Sequence, residues 1–143
     1  MSQSNKKIIG RLETVALHEL GIAELQVKVD TGAKTSSLHV DNITKVTGRG
    51  KPKVRFDIHP DIHNVNRVVA CETALEDIRN VKSSNGTVET RYVIKTPLTL
   101  GDDTWDVEIT LTDRSDMSYL MLFGREAISP RFLVDVEQTF VQT

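Results

Sequence analysis

Apolar and polar residues alternate with a period of two along several stretches of the chain. Ala23, Leu25, Val27 and Val29 alternate with Glu24, Gln26 and Lys28, the pattern of a strand with one buried and one wet face. Val54, Phe56 and Ile58 repeat it among Lys53, Arg55 and Asp57, as do Trp105, Val107, Ile109 and Leu111 among Asp106, Glu108, Thr110 and Thr112. Gly101-Asp102-Asp103 separates Leu98-Thr99-Leu100 from the Trp105 stretch, which is turn chemistry between two strands and predicts a hairpin. Ser83-Ser84-Asn85-Gly86 has the same character, with Val88, Tyr92 and Ile94 on one face after it. Residues 81–94 are therefore expected to project as a hairpin with Asn85-Gly86 at its tip. Tyr119 to Phe123 is a continuous apolar run ending at Gly124-Arg125, the signature of a central strand covered on both faces.

Helical signal is thin. Arg125–Ile128 and residues 72–79 offer short candidates, and Pro130 would stop the first. Many short strands punctuated by turns predict an all-β fold that closes, or nearly closes, into a barrel. Residues 1–6 are polar and aperiodic and read as a flexible tail, residues 7–143 as one domain.

A chain of 143 residues can bury a sizeable core without staples. Its single cysteine, Cys71, cannot form an internal disulfide and sits beside Val68-Val69-Ala70 as a small core residue. With no apolar run long enough for export or membrane insertion, the expected setting is cytoplasmic. Eighteen basic residues against twenty acidic ones give a net charge of -2, a balance that points to neither nucleic acid nor anionic membrane as partner. The run Arg49, Lys51, Lys53, Arg55 reads as a solvated loop and strand face.

The chemistry-bearing segment is Asp30-Thr31-Gly32-Ala33, delivered by the alternating strand that ends in Val29. Glycine lets the backbone turn sharply beside a ligand, and the Thr31 hydroxyl can tie the loop to its surroundings. Alone, Asp-Thr-Gly also fits a turn in which Asp bonds its own backbone. Peptide hydrolysis by carboxylates needs two of them, one ionised to activate water and one protonated to polarise the scissile carbonyl. The chain offers one such loop. A twofold homodimer would bring Asp30 against its symmetry mate.

Val27-Lys28-Val29-Asp30-Thr31-Gly32-Ala33, followed far downstream by Leu120-Met121-Leu122-Phe123-Gly124-Arg125, resembles the retropepsin pair of motifs, an apolar strand into Asp-Thr-Gly-Ala and another into Gly-Arg. More closely, residues 29–39 and 109–125 resemble the bacterial family commonly labelled ATP-dependent zinc protease, whose members often accompany ATP-grasp ligases that attach glutamates to a ribosomal protein. The resemblance spans residues 7–140. It implies a retropepsin-like closed β-barrel with one short helix after Gly-Arg, and Asp30 as catalytic carboxylate in the loop Thr31, Gly32, Ala33. It also implies a flap whose tip carries Gly86, a peptide or protein substrate, and a glutamate ligase as possible partner.

The family label finds little echo in the residues. No Gly-x-x-x-x-Gly-Lys-Ser/Thr loop is present to cradle phosphates, and neither His-Glu-x-x-His nor paired cysteines occur, so neither cofactor nor metal is expected. His59 and His63 flank Pro60 and Asp61 and read as loop histidines, with a metallopeptidase site as the alternative. His39, half exposed on its strand, is a candidate for substrate contact. Retropepsins commonly place Asp after Asp-Thr-Gly-Ala; here Lys34 stands there. Lys34 and Arg125 would then carry like charge at one corner of the site and want an anion, either Asp113, Asp116 or Glu126, or a substrate carboxylate. Lys34 and Arg125 are thereby candidate substrate-binding residues, with Arg91 and Lys95 adding to a positive rim. The expected activity is that of a homodimeric aspartic endopeptidase favouring acidic or glutamate-rich peptides. The alternative is a non-catalytic barrel that binds or regulates an ATP-grasp glutamate ligase.

Overall fold

The computed structural model describes residues 6–60, 66–82, 86–113 and 119–143. Twelve strands follow in chain order: β1 (Lys7–Ile9), β2 (Leu12–Leu17), β3 (Ile22–Asp30), β4 (Ser36–His39), β5 (Asp41–Val46), β6 (Lys53–Ile58), β7 (Val69–Ala74), β8 (Asp77–Lys82), β9 (Val88–Leu100), β10 (Asp103–Thr112), β11 (Met121–Gly124) and β12 (Phe132–Val134). A 3-10 turn, His18–Leu20, joins β2 to β3, and one short helix, α1 (Arg125–Ile128), follows β11 and ends before Pro130. The fold is all-β as the alternation requires.

The main sheet runs β10-β4-β11-β3-β2-β9-β8, and β9 also pairs with β10. That last pairing closes a ring of six strands and leaves β8 outside it on β9. Closure removes free edges from the ring, the usual solution for short strands with one apolar face. Leu25 and Val27 from β3, Leu38 from β4, Leu98 and Leu100 from β9, Ile109 from β10 and Phe123 from β11 fill its interior. Two parallel pairs, β3 with β11 and β4 with β10, lie among otherwise antiparallel neighbours. A separate antiparallel sheet, β5-β6-β7, follows the corner at Val40, and β1 pairs with β12.

Most predicted strands lie where the alternation puts them. The hairpin at Gly101 is a two-residue turn with Leu100 opposite Asp103, and β11 is flanked by β3 and β4, the central strand its apolar run predicts. Two details differ. Ala23 is exposed while Ile22 is buried, because the β2–β3 register slips by one between Val15 and Leu17, and a one-residue slip exchanges the faces. Residues 72–79 are not helical. They end β7 and begin β8, with Leu75 N–H donating to Pro52 O and Glu76 N–H to Val93 O at the turn. The segment is rich in helix formers, but β6 and β9 offer it two edges, and strand pairing outweighs a helix propensity on the order of a few tenths of a kcal/mol per residue.

The last residues wrap back along β2. Arg11 N–H donates to Gln138 O and Phe140 N–H to Leu12 O, and a Cβ at Gly10 would lie 2.4 Å from Gln138 O, so only glycine admits the tail there. Glu13, fully buried, fastens the tail by hydrogen bonds. Trp105 packs on Phe123 and Phe132, with the Arg131 guanidinium 4.8 Å above its ring. The basic run behaves as a strand face: Lys53 and Arg55 point to solvent and both reach Glu72 across β6–β7. Among the described residues no helix is long and apolar enough to cross a membrane.

Candidate functional site

Strand β3 ends at Asp30, which stands opposite Gly124 in the parallel pairing with β11. The two motifs, far apart in sequence, are thereby adjacent. Gly124 N–H donates to Ser36 Oγ at 2.9 Å, and a Cβ on Gly124 would lie 2.6 Å from the Thr35 carbonyl carbon. Glycine is needed here for close approach of two backbones. Asp30 Oδ1 accepts from Gly32 N–H at 3.1 Å, and Asp30 O from Ala33 N–H at 3.1 Å, so the loop turns on its own aspartate. Arg125 N–H donates to Ala33 O at 2.9 Å and Glu126 N–H to Lys34 O at 3.1 Å. The Arg125 guanidinium donates to the carbonyls of Thr31 at 3.2 Å and Gly32 at 3.3 Å. Asp-Thr-Gly-Ala and Gly-Arg thus form one hydrogen-bonded unit. Asp30 is partly exposed, and Thr31 and Gly32 are exposed at the tip.

The expected anion beside Arg125 is not what satisfies it, since backbone carbonyls take its donors. Glu126 instead accepts from the Thr35 hydroxyl at 3.3 Å, Asp113 lies with His39 and Asp41, and Asp116 lies outside the described residues. Lys34 is exposed and makes no ion pair among the described residues. The Thr31 hydroxyl, expected to tie the loop, makes no hydrogen bond among them either.

Beside the loop opens a cleft of about 530 Å³, walled by residues 32–35 on one side and by β8 and the start of β9 on the other, with Ser37, Thr110, Thr112 and Leu122 lining it between them. Its lining carries Lys34, Arg79, Lys82 and Arg91 and, among the described residues, no carboxylate. Arg79 is held by Asp77 at 2.8 Å and by Glu108 at 3.0 Å; the hydrogen bond to Asp77, then that to Glu108, holds its guanidinium protonated above its ordinary range. The same bond keeps the Asp77 carboxyl below the usual carboxylate range. Arg91 reaches Glu89 at 3.3 Å, and its Nε is buried without a partner among the described residues. Sequence reasoning placed Lys34 and Arg91 near the site but missed Arg79 and Lys82. Arg79 was hidden because residues 72–79 read as helical; Lys82 already fell within the expected 81–94 hairpin, but that it faces the loop depends on the β8–β9 pairing.

The hairpin itself begins earlier than expected: β8 pairs with β9 from Asp77 opposite Val93 to Lys82 opposite Val88. Gly86 is exposed with φ +88, and a Cβ there would meet nothing within 4 Å. Ser83, Ser84 and Asn85 lie outside the described residues. Lys95 lies away from this cleft, along a smaller acidic recess with Asp106, Glu108 and Glu126. His39 does not line the cleft. His59 contacts Asp41 through Nε2 at 2.8 Å, and His63 lies outside the described residues.

Cys71 is buried, and its Sγ lies 3.4 Å from Leu20 O. Burial first, and the nearby Asp57 charge second, push its thiol up to about 11. The thiolate fraction at neutral pH is then smaller than that of a free cysteine by on the order of a hundredfold. Iodoacetamide should alkylate folded protein at least about a hundredfold more slowly than urea-unfolded protein, and equal rates by mass spectrometry would show the thiol to be accessible.

The fold recurs elsewhere. A crystal structure of a Legionella pneumophila protein of unknown function (DUF785) superimposes with a TM-score of 0.79 at 30% identity, covering 96% of this chain and 98% of that one. Relatives named probable alpha-L-glutamate ligase include one from Shewanella halifaxensis, 46% identical over 136 residues, and one from Desulfotalea psychrophila, 45% identical over 130 residues. These alignments cover 95% and 91% of this chain but 30% and 28% of the relatives, so the chain spans less than a third of their length. The family described as retropepsin-like aspartic endopeptidase RimB matches residues 8–143, and with nearly the whole chain covered, this protein belongs to that RimB-like family.

Proposed function

We propose that the chain is one half of a homodimeric aspartic endopeptidase that cleaves acidic, glutamate-rich peptides. The observation that carries the reading is the placement of Asp30 on a braced loop beside a cleft whose lining, among the described residues, holds four cations and no carboxylate. The exposed tip at Thr31 and Gly32 leaves the loop open to a second copy on a twofold axis. Two Asp30 carboxylates in contact share one proton, because both cannot ionise cheaply side by side. The ionised one takes a proton from water as its oxygen attacks the scissile carbonyl, and the protonated one gives its proton to the carbonyl oxygen. The tetrahedral diol then collapses as a proton passes to the amide nitrogen, which leaves as an amine. Arg125 holds the loop through Thr31 and Gly32, while Lys34, Lys82 and the outer edges of Arg79 and Arg91 receive the substrate's carboxylates. Gly86, on the hairpin opposite the loop, allows the backbone to approach the peptide.

Relatives named glutamate ligase contain a segment like this chain, and a hydrolase for glutamate-rich chains is a natural neighbour of an enzyme that joins glutamate. The same relatives favour a second reading, a non-catalytic barrel that binds or regulates such a ligase. Both readings place the chain beside a ligase, but only the first makes it hydrolytic.

Comparing hydrolysis of a Glu-rich peptide with its Gln counterpart tests the preference. Wild type should cleave the Glu peptide about tenfold or more faster, since one well-formed charge-assisted hydrogen bond contributes about 1.5 to 3 kcal/mol. Lys34→Asp should shrink that ratio. Equal rates in wild type reject the preference, and full activity from a strictly monomeric species in sedimentation rejects the dimer.

A further inference from the structure

His39, Asp41 and Asp113 converge from three places: the last residue of β4, the first of β5 and the residue after β10. One donor atom from each lies within 4.8 Å of the others. His39 Nε2 stands 3.9 Å from Asp41 Oδ1, and the other oxygen of Asp41 meets His59 Nε2 at 2.8 Å. The His39 side chain is only 14% exposed. Its Nδ1 is buried with no hydrogen-bond partner among the described residues, and so is the hydroxyl of Thr112, the residue in register with His39 across β4–β10 and also part of the cleft wall. Orphaned polar atoms of this kind are uncommon in folded proteins, and a bound ion or water is a common reason for them.

We propose that His39, Asp41 and Asp113 are the protein ligands of a structural divalent-metal site of the zinc class, with His59 orienting Asp41 from behind. One imidazole with two carboxylates is a nitrogen and oxygen set that suits zinc, whereas calcium takes oxygen alone. Ligand atoms around a tetrahedral zinc stand roughly 3.3 Å apart, so the set closes by less than about 1.5 Å, within reach of the exposed Asp113 side chain. A ligating carboxylate held by a further hydrogen bond, as His59 holds Asp41, is the usual support behind a metal's own ligands. The site borders one end of the cleft, whose lining includes none of the three ligands but does include Ser37, two positions before His39, and Thr112, the residue before Asp113. Its place explains its use. The β5-β6-β7 sheet joins the ring at Val40, whose N–H donates to Thr112 O, and the ion would pin that corner to the end of β10.

The test takes the full chain, freed of metal by a chelator and dialysed, and titrates it with Zn²⁺ by calorimetry and with Co²⁺ by visible absorption. One ion should bind per chain and raise the unfolding midpoint as free Zn²⁺ increases. Asp113→Asn, an exposed change that keeps the fold, should weaken binding about a hundredfold, and His59→Gln about ten- to a hundredfold. His18→Gln, an exposed histidine elsewhere, should leave it unchanged. X-ray absorption on zinc-loaded wild type should show one imidazole in the shell, which keeps the proposal testable should His39→Gln fail to fold. An absence of saturable binding, a shell without imidazole, or affinity indifferent to Asp113→Asn and His59→Gln would each mean adventitious surface zinc only and overturn it.

Discussion

Replacing Asp30 by Asn is expected to lower hydrolysis of a Glu-rich peptide by at least about 10⁴-fold, with the fold and its thermal midpoint preserved. The amide is nearly isosteric, and its oxygen can still accept from Gly32 N–H, which holds Asp30 Oδ1 at 3.1 Å. It can neither take a proton from water nor share one with its mate. General acid and base assistance contributes about 10² to 10⁴ each, and one substitution removes both because each copy supplies the same residue. The measurement is peptide cleavage by mass spectrometry beside sedimentation and a melting curve. A variant that cleaves at the wild-type rate would sink the carboxylate mechanism. A barrel that merely regulates a glutamate ligase would bind that ligase equally well with Asn at this position, and the wild type would show no cleavage to lose.

The largest effect on stability is expected at Glu13. Its carboxylate is fully buried and accepts from Gly10 N–H at 2.8 Å, Val141 N–H at 2.9 Å, Gln142 N–H at 3.2 Å and the Thr143 hydroxyl at 2.9 Å. It binds the final residues to the turn before β2. Glu13→Ala removes four charge-assisted bonds and leaves backbone donors to find water, at a cost of about 3 to 5 kcal/mol. That is a large share of the 5 to 15 kcal/mol, roughly, that holds a domain together. Urea titration should show it as a lowered midpoint, with faster amide exchange at residues 141 and 142. A loss under about 1 kcal/mol would mean that solvent replaces these bonds without penalty.

How much of this was legible beforehand depends on whether a feature is local. Leu25 and Val27 point inward because their neighbours are Glu24, Gln26 and Lys28, and no distant contact is needed to say so. The hairpin at Gly101 follows from its own turn residues. The Asp-Thr-Gly and Gly-Arg motifs were visible as resemblances, but their union was not: that Gly124 lies against Asp30, and that Arg125 spends its donors on Thr31 and Gly32, is set by the parallel pairing of β3 with β11. An expected carboxylate partner for Arg125 therefore gave way to main-chain carbonyls.

Residues 72–79 show the limit most clearly, since their helix-forming composition was overridden by strand pairing with β6 on one side and β9 on the other. The same pairing turns Arg79 and Lys82 toward Lys34 and makes the cleft basic in a chain whose net charge is -2. Burial of Glu13 and the meeting of His39 with Asp41 and Asp113 likewise join positions with no periodic relation. What the sequence by itself determined was the β class, the positions of most strands and the loop that presents Asp30, because side-chain alternation and turn chemistry act over a few residues. Only the tertiary structure decided which charges share the cleft and which polar groups are buried together, because those depend on register between strands that the chain brings together from far apart.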